Sequence, residues 1–355
     1  MYKNEVHRYE AVNLVTSPLD PIKDVVCWVK GLTSTKYVEE LLESKHNLLG
    51  PPSVRDRSKI ITSFVHLGCE YLEQAEKGPP EISFLPLYYA LLNFSKAYIA
   101  AGPYCTEISK NRKHGALYPP WTNARNLDND TIKILPQGTI PLLYRTLVGE
   151  DMFKNTSSTL TLKMKDIYPY IFDISAEYKM ATGNEPKLIP FRILIAEGEK
   201  TERITAQVSQ GYEERLEKIN VKHLQGFDGL HLENENKGIL VSDWYEAGNR
   251  DSLMSCLRPA MFYGYLLPAQ TVIRTVIQFV PFCSKRRPLI PEELPLLCAF
   301  FHMSNVVRYK PEMLAKLMDS KYLPVLLALR RHGIYRFLLL FWSFFNQCCT
   351  YIVPV

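Results

Sequence analysis

The segment "KNRKHG", residues 110–115, places four basic or imidazole side chains within six positions. Metal-independent cleavage of RNA needs a group of near-neutral pKa to move the 2'-hydroxyl proton, and a fixed cation to stabilise the pentacovalent phosphate. The segment supplies both types of group close together. We therefore predict His114 as the acid/base, with Arg112 or Lys110 as the cation.

An apolar helix directly upstream carries two polar side chains in its middle. The stretch "YYALLNFSKAYIAAG", residues 88–102, reads as helical, and Tyr89, Asn93 and Lys96 share one face on a period of 3.6 residues. We expect the basic segment to fold back on this helix, so that His114 and Arg112 meet the amide and the ammonium group. The predicted substrate-binding residues are Asn93, Lys96, Asn111 and Arg308.

Each of these residues also has a purely structural interpretation. The basic segment is compatible with a solvated loop, and Asn93 with a hydrogen-bonded amide inside a helical bundle. Arg308, in "VVRYKP", ends a predicted helix, where a cation favours the negative end of the dipole and bonds free carbonyls. The other interpretation of Arg308 is that it faces the His114 segment across the bundle.

Proline pairs delimit the helices that must position these side chains. Between Pro51-Pro52 and Pro79-Pro80, Ser53 is a helix cap candidate, and apolar residues recur at helical spacing up to about residue 75. The tyrosine-rich helix follows the second pair. We expect the two helices to form an antiparallel hairpin, in which Gly68 allows close approach.

From about residue 128 the sequence becomes strand-like. Short β-branched segments are separated by Gly, Asn, Asp or Pro, and they include "TIKIL", "TIPLLYRTLV", "TLTLKM", "KLIPFRILIAEG" and "RITAQVSQG". After Pro291 the pattern becomes helical again. We predict an α+β fold: helical parts at 1–127 and 283–355 form one bundle, and residues 128–282 are a largely antiparallel β-rich insertion.

Composition limits the classes of protein that need consideration. The 355 residues carry a net charge of +5, which permits contact with nucleic acid without requiring it. Charged residues interrupt the first positions, so we expect no signal peptide and a cytoplasmic protein. The eight cysteines lack metal-site spacing, so we expect reduced thiols, no metal and no cofactor.

The uncharged stretch 337–355, "FLLLFWSFFNQCCTYIVPV", is about as long as the shortest membrane span. Polar residues dilute it, and a core helix has the same periodicity. The prediction is therefore a soluble bundle helix, with an interface between subunits or insertion into a membrane as the alternatives.

At these motifs the chain resembles known families. "YYALLNFSKAYIAAG" followed by "NRKHGAL" is similar to the helix pattern of HEPN-type domains. The whole arrangement, with "SNVVRYKPEML" and an aromatic C-terminal helix, resembles the YaaC-like family of bacterial proteins. The HEPN resemblance implies a helical bundle, often dimeric, and in many members a metal-independent ribonuclease whose motif is Arg, four to six residues, then His. Ser109 stands where the shortest such motif has arginine.

Two functions follow as expectations. The first is a protein that binds RNA or another nucleic acid, as a metal-independent ribonuclease effector in a toxin or phage-defence setting. The second is a non-catalytic interaction or scaffold protein, which binds a partner subunit or its own copy. The departure at Ser109 favours the second.

Overall fold

The computed structural model describes residues 2–17, 20–46, 50–110, 113–119, 127–154, 158–233, 238–267, 275–283 and 288–354. The chain forms two compact units. The helical unit contains Pro18–Pro186 and Glu293–Gln347, and the sheet unit contains Met1–Ser17, Lys187–Glu292 and Cys348–Val355. The α+β prediction is confirmed, because helices and antiparallel sheets are both present.

The helices that the structure describes are α1 (Pro21–Gly31), α2 (Thr35–Lys45), α3 (Val54–Lys77), α4 (Phe84–Ala101), α5 (Thr139–Val148), α6 (Ser175–Thr182), α7 (Glu213–Glu217), α8 (Arg250–Met254), α9 (Glu293–Tyr309), α10 (Pro311–Met318), α11 (Leu323–Ala328) and α12 (Ile334–Asn346). A π-helical turn, Leu329–Gly333, joins α11 to α12.

The strands are β1 (Tyr2–Glu5), β2 (Ala11–Ser17), β3 (Ala116–Leu117), β4 (Thr131–Ile134), β5 (Leu160–Lys163), β6 (Leu188–Glu197), β7 (Thr201–Val208), β8 (His231–Leu232), β9 (Ile239–Val241), β10 (Tyr245–Glu246), β11 (Tyr263–Leu267), β12 (Thr275–Pro281) and β13 (Cys348–Pro354).

The predicted hairpin of α3 and α4 is present. The Ser53 hydroxyl accepts a hydrogen bond from the backbone amide of Asp56 at 3.2 Å and so caps α3. The partners run in opposite directions: Arg57 donates to the carbonyl of Gly102, Gly68 packs on Phe94, and Tyr71 stacks on Tyr89. A Cβ on Gly68 would lie 2.6 Å from the Phe94 ring, so the close approach requires glycine.

Helices α9 and α12 also pack on α4 in the core of the helical unit. Tyr88 of α4 meets Phe301 of α9 edge to face, with ring centroids 5.4 Å apart. On α12, Phe341 contacts both Phe94 and Tyr98, each at 5.1 Å. The polar residues of α4 thus belong to a helix that is buried along most of its length.

A small sheet of strands β3, β4 and β5, in that order, also belongs to the helical unit. The segment "TIPLLYRTLV", predicted as a strand, is instead α5 and lies between β4 and β5 in the chain. The strand prediction was wrong because β-branched residues outweighed the helical spacing of Ile140, Leu143 and Tyr144. Gly138 before α5 and Gly149 in the left-handed conformation after it bound the helix.

In the sheet unit, described strands form an antiparallel sheet in the order β11-β12-β6-β7-β9-β8, with β1 on β6 and β10 on β7. The ends of the chain were predicted as helical parts, but they contribute strands. Strand β13 pairs with β2 in parallel, with Cys348 opposite Ala11. Helix α12 ends at Asn346, and Gln347 follows with a positive φ of 48°.

The observed division of the chain differs in position from the three predicted parts. Residues 128–186 lie in the helical unit, because β4, β5, α5 and α6 belong to it. The central segment of the sheet unit therefore begins near residue 187 and not near 128. Among the described helices, none is both long and apolar enough to span a bilayer.

Candidate functional site

The polar face of α4 provides the first part of the site. Asn93 is buried, and its Nδ2 donates to the carbonyl of Tyr89 on the same helix at 2.8 Å. Lys96 is half-buried, and burial lowers the pKa of its ammonium group. Its Nζ lies 5.5 Å from the centre of the Phe64 ring.

His114 lies against the N-terminal half of this helix. Its Nδ1 is 2.7 Å from the hydroxyl of Tyr88, and its ring is edge-on to Tyr89 with centroids 6.2 Å apart. Tyr88 is fully buried, and burial raises the pKa of its phenol well above the usual value. The phenol therefore stays protonated and fixes the imidazole through a single hydrogen bond.

Backbone contacts hold residues 113–118, which we call the His114 segment, in place. The carbonyl of His114 accepts from the amide of Ile140, and that of Lys113 accepts from the amide of Thr139, at 3.1 and 3.0 Å. Gly115 and Gly138 have φ values of +84° and +128°, which favour glycine. A Cβ on Gly138 would lie 2.3 Å from the Gly115 amide nitrogen, so these two glycines allow the segment to approach the start of α5.

Arg308 reaches the same place from the end of α9. One guanidinium nitrogen donates to the Tyr89 hydroxyl at 3.2 Å, and the guanidinium carbon lies 5.5 Å from the ring centre. Tyr89 also stacks on Tyr71 of α3, with centroids 5.3 Å apart and planes inclined by 26°. We call the group Tyr88, Tyr89, Lys96, His114 and Arg308 the Tyr-His site.

The electrostatics of the Tyr-His site favour a negatively charged ligand. Burial lowers the pKa of His114, and the positive charges of Lys96 and Arg308 lower it further. The imidazole is therefore neutral at pH 7, which suits a group that accepts a proton. Within the described residues, no carboxylate forms an ion pair with either Lys96 or Arg308, and no protein group bonds His114 Nε2.

The predicted site residues are thus only partly assembled. His114 and Arg308 both contact Tyr89, and the charge of Lys96 lowers the pKa of His114, whereas Asn93 bonds its own helix. Lys110 is exposed at the end of the preceding loop. Asn111 and Arg112 lie outside the described residues. Tyr88 and Tyr89 were quoted in the motif but not predicted as site residues.

A second polar group, absent from the sequence-based predictions, lies next to the Tyr-His site in the helical unit. The carboxylate of Asp130 is fully buried and accepts from the Tyr118 hydroxyl at 2.6 Å and the Thr131 amide at 3.0 Å. His302 Nε2 lies 3.0 Å away, and Lys310 Nζ lies 3.2 Å away. We call Tyr118, Asp130, His302 and Lys310 the Asp130 cluster.

The protonation of this cluster follows from its hydrogen bonds. Burial would raise the pKa of Asp130, but hydrogen bonds from His302 and Tyr118 and the charge of Lys310 bring it well below the usual value. Burial lowers the pKa of His302, while the bond to Asp130 opposes this shift. We conclude that Asp130 is ionised and that a neutral His302 donates its Nε2 proton to it. Within the cluster, the negative charge of Asp130 is therefore paired with the positive charge of Lys310.

Only a weak sequence signal marked the Asp130 cluster. His302 interrupts the apolar run "ELPLLCAFFHMSNVV", just as Asn93 and Lys96 interrupt α4. A buried histidine requires a polar partner, but nothing local identifies it. Asp130 is 172 residues away, and the pairing depends on the packing of β4 against α9.

Comparison with known proteins places the chain in a family without assigning a function. The model of the YaaC-like protein family matches residues 30–345, and the chain belongs to this family. The matched range includes both the Tyr-His site and the Asp130 cluster. No curated protein and no solved structure matches the chain.

Proposed function

We propose that this chain binds single-stranded RNA at the Tyr-His site, with a backbone phosphate next to His114 and a base on the Tyr71/Tyr89 stack. The observation that supports this best is the placement of two cations beside a neutral imidazole with no carboxylate among the described residues to neutralise them. Phosphate contacts supply most of the affinity of proteins for nucleic acids.

The aromatic residues support RNA over a free phosphate ion. Tyr71 and Tyr89 are half-exposed and stacked, and Arg308 lies over Tyr89. Unpaired bases commonly stack on tyrosine rings and on arginine planes, and each such contact contributes roughly 1–3 kcal/mol. A phosphate site next to a stacking surface matches the repeating unit of a single strand.

The site also contains the groups for metal-independent cleavage of RNA. In the tautomer where Nδ1 donates to Tyr88, His114 Nε2 carries a lone pair that accepts the 2'-hydroxyl proton. The 2'-oxygen then forms a bond to the adjacent phosphorus, and the bond to the 5'-oxygen breaks to give a cyclic phosphate, while the leaving 5'-oxygen takes a proton from solvent and departs as an alcohol. Lys96 and Arg308 would stabilise the extra negative charge of the pentacovalent phosphate. We propose this activity as the second part of the function.

The proposal includes a HEPN-like character for the helical unit. It is supported by the α3/α4 hairpin, by the packing of α9 and α12 on α4, and by the histidine that follows the YYA-containing helix. The arginine of the usual motif is missing, since Ser109 occupies its position. Arg308, from the other end of the unit's sequence, provides a guanidinium group beside His114 instead. A toxin or phage-defence role follows only from the HEPN resemblance.

The first experiment measures binding of a short fluorescein-labelled single-stranded RNA in EDTA by anisotropy, over a series of salt concentrations. We expect Arg308→Met to weaken binding about tenfold, or about 1.4 kcal/mol, and to reduce the salt slope by about 0.7. Arg55→Met is the matched control, because Arg55 is exposed on α3 about 24 Å along the helix from Tyr71. Equal losses in both variants would show non-specific binding and would contradict the proposal.

The second experiment separates catalysis from binding. Labelled RNA is incubated with the wild-type protein and with His114→Asn, again in EDTA. Cleavage by the wild-type protein alone supports the ribonuclease activity, and cleavage by both identifies a contaminant. Binding without cleavage leaves an RNA-binding protein, and neither binding nor cleavage favours the non-catalytic scaffold.

A further inference from the structure

His114 and Arg308 of the Tyr-His site come from two different chain segments. His114 lies in the segment before β3, and Arg308 lies at the end of α9. The two residues are 194 positions apart, so their distance depends on how these segments are fixed to each other. Arg308 is itself exposed, and its described contact is with the Tyr89 side chain.

The Asp130 carboxylate is bonded to both segments. Tyr118, four residues after His114, donates to Oδ2 at 2.6 Å. Lys310, two residues after Arg308, lies 3.2 Å from Oδ1, and His302 of α9 lies 3.0 Å from Oδ2. This buried carboxylate therefore bonds one residue close in sequence to His114 and another close in sequence to Arg308.

We propose that Asp130 is a positioning residue, which holds the His114 segment and the end of α9 at the separation the Tyr-His site requires. The cluster has no access of its own for a ligand, because Asp130 and His302 are fully buried and the Lys310 side chain is 11% exposed. Its role is to fix geometry. Only the expected effect of Asp130 on RNA binding rests on the proposed function. Its effect on the positions of His114 and Arg308 can be tested without RNA.

The pKa of His114, measured by NMR titration of its imidazole signal, reports the position of Arg308. The guanidinium charge lowers that pKa, whereas Lys310 is not among the charges that act on it. Lys310→Met should therefore raise the pKa of His114 only if the end of α9 moves. We expect the rise to match that of Arg308→Met, and the double variant to show no further rise.

Lys316→Met is the matched control, since Lys316 is an exposed lysine on α10, the helix that follows Lys310. It should leave the pKa of His114 at the wild-type value. Lys310→Arg, which retains the positive charge next to Asp130, should restore most of the wild-type pKa. An unchanged pKa in Lys310→Met, with a rise in Arg308→Met, would overturn the positioning role.

A milder variant keeps the proposal testable if Lys310→Met does not fold. Tyr118→Phe retains the ring and every charge but removes the 2.6 Å bond to Asp130. Loosening the His114 segment should move the pKa of His114 up towards its ordinary value, and no change would overturn the role on that side. RNA affinity is measured in parallel. If the pKa of His114 does not rise in Lys310→Met or Tyr118→Phe, the positioning role is refuted. If the wild-type protein does not bind RNA, the proposed function is refuted instead.

Discussion

The Tyr-His site and the Asp130 cluster contain the same types of side chain but differ in one group. Each combines tyrosine, histidine and a cation, and both include residues from or next to the His114 segment and α9. The Asp130 cluster has a buried carboxylate, which accepts hydrogen bonds from the tyrosine, the histidine and the lysine of the cluster. The Tyr-His site has no such carboxylate among the described residues, so its donors remain available for an anion supplied by a ligand. A carboxylate thus distinguishes a structural cluster from a candidate binding site.

The largest expected effect comes from removing that carboxylate. Asp130→Ala leaves Lys310 buried without its counter-charge, and breaking a buried ion pair in this way costs roughly 3–5 kcal/mol. Urea denaturation measures the change in the free energy of unfolding. Glu43→Ala, at an exposed position on α2, is the control and should stay within about 0.5 kcal/mol of the wild type. A small effect of Asp130→Ala would show that the cluster does not hold the fold.

A smaller loss is expected from Tyr88→Phe, which keeps the buried ring but removes the hydroxyl bonded to His114 Nδ1. The cost should be about 1 kcal/mol in the free energy of unfolding, the usual net contribution of a hydrogen bond. Tyr37→Phe is the control, because Tyr37 lies on α2 outside both groups. Equal stability of Tyr88→Phe and the wild type would mean that the bond does not fix the imidazole.

A smaller effect is expected on the pH dependence of stability, to which His114 and Asp130 contribute over different pH ranges. The folded state holds the pKa of His114 below its ordinary value of 6.5, so the unfolded chain takes up a proton first as the pH falls. Stability is therefore present above about pH 6.5 and decreases below it. The pKa of Asp130 is also lowered, so its contribution is lost only at more acidic pH, below about 3.9.

His114→Asn tests this assignment, because it removes the titration while keeping a polar atom near Tyr88. The variant should lose less stability than the wild type between pH 7 and 5, as measured by urea denaturation across a pH series. His7, His46 and His302 also have pKa values lowered by burial, so part of the acid loss should remain. An identical pH profile in both proteins would contradict the shifted pKa of His114.

The smallest effect on stability should come from Arg308→Met. Arg308 is exposed and has no carboxylate partner among the described residues, so its removal should change the free energy of unfolding by no more than about 0.5 kcal/mol. The same variant should weaken RNA binding about tenfold. A large loss of stability would show that Arg308 belongs to the structure and not to a site.

Local signals in the sequence were enough to predict the elements that carry the site. Proline pairs, the Ser53 cap and Gly68 predicted the α3/α4 hairpin, and the basic segment predicted His114 as its neighbour. The ends of the chain and α5 were mispredicted because short β-branched or apolar segments suit helix and strand almost equally. In those cases tertiary pairing, such as β13 with β2, decides the outcome.

Interactions across long sequence separations were not predictable. The bonds of Asp130 to His302 and Lys310 span 172 and 180 positions, and no periodicity connects them. Asn93 shows the opposite limitation, since its position on the helix face was predicted correctly but its amide bonds the Tyr89 carbonyl. Residue type and spacing identified a face of a helix, whereas the bonding of each side chain required the fold.

The RNA-binding role of the Tyr-His site is tested most sharply by the pKa of the His114 imidazole with and without single-stranded RNA, measured by NMR titration. The signal is assigned by its loss in His114→Asn. A bound phosphate next to the imidazole should raise this pKa, because the negative charge stabilises the protonated ring. An unchanged pKa at a saturating concentration of RNA, or no binding at all, would contradict the assignment of the Tyr-His site as an RNA-binding site.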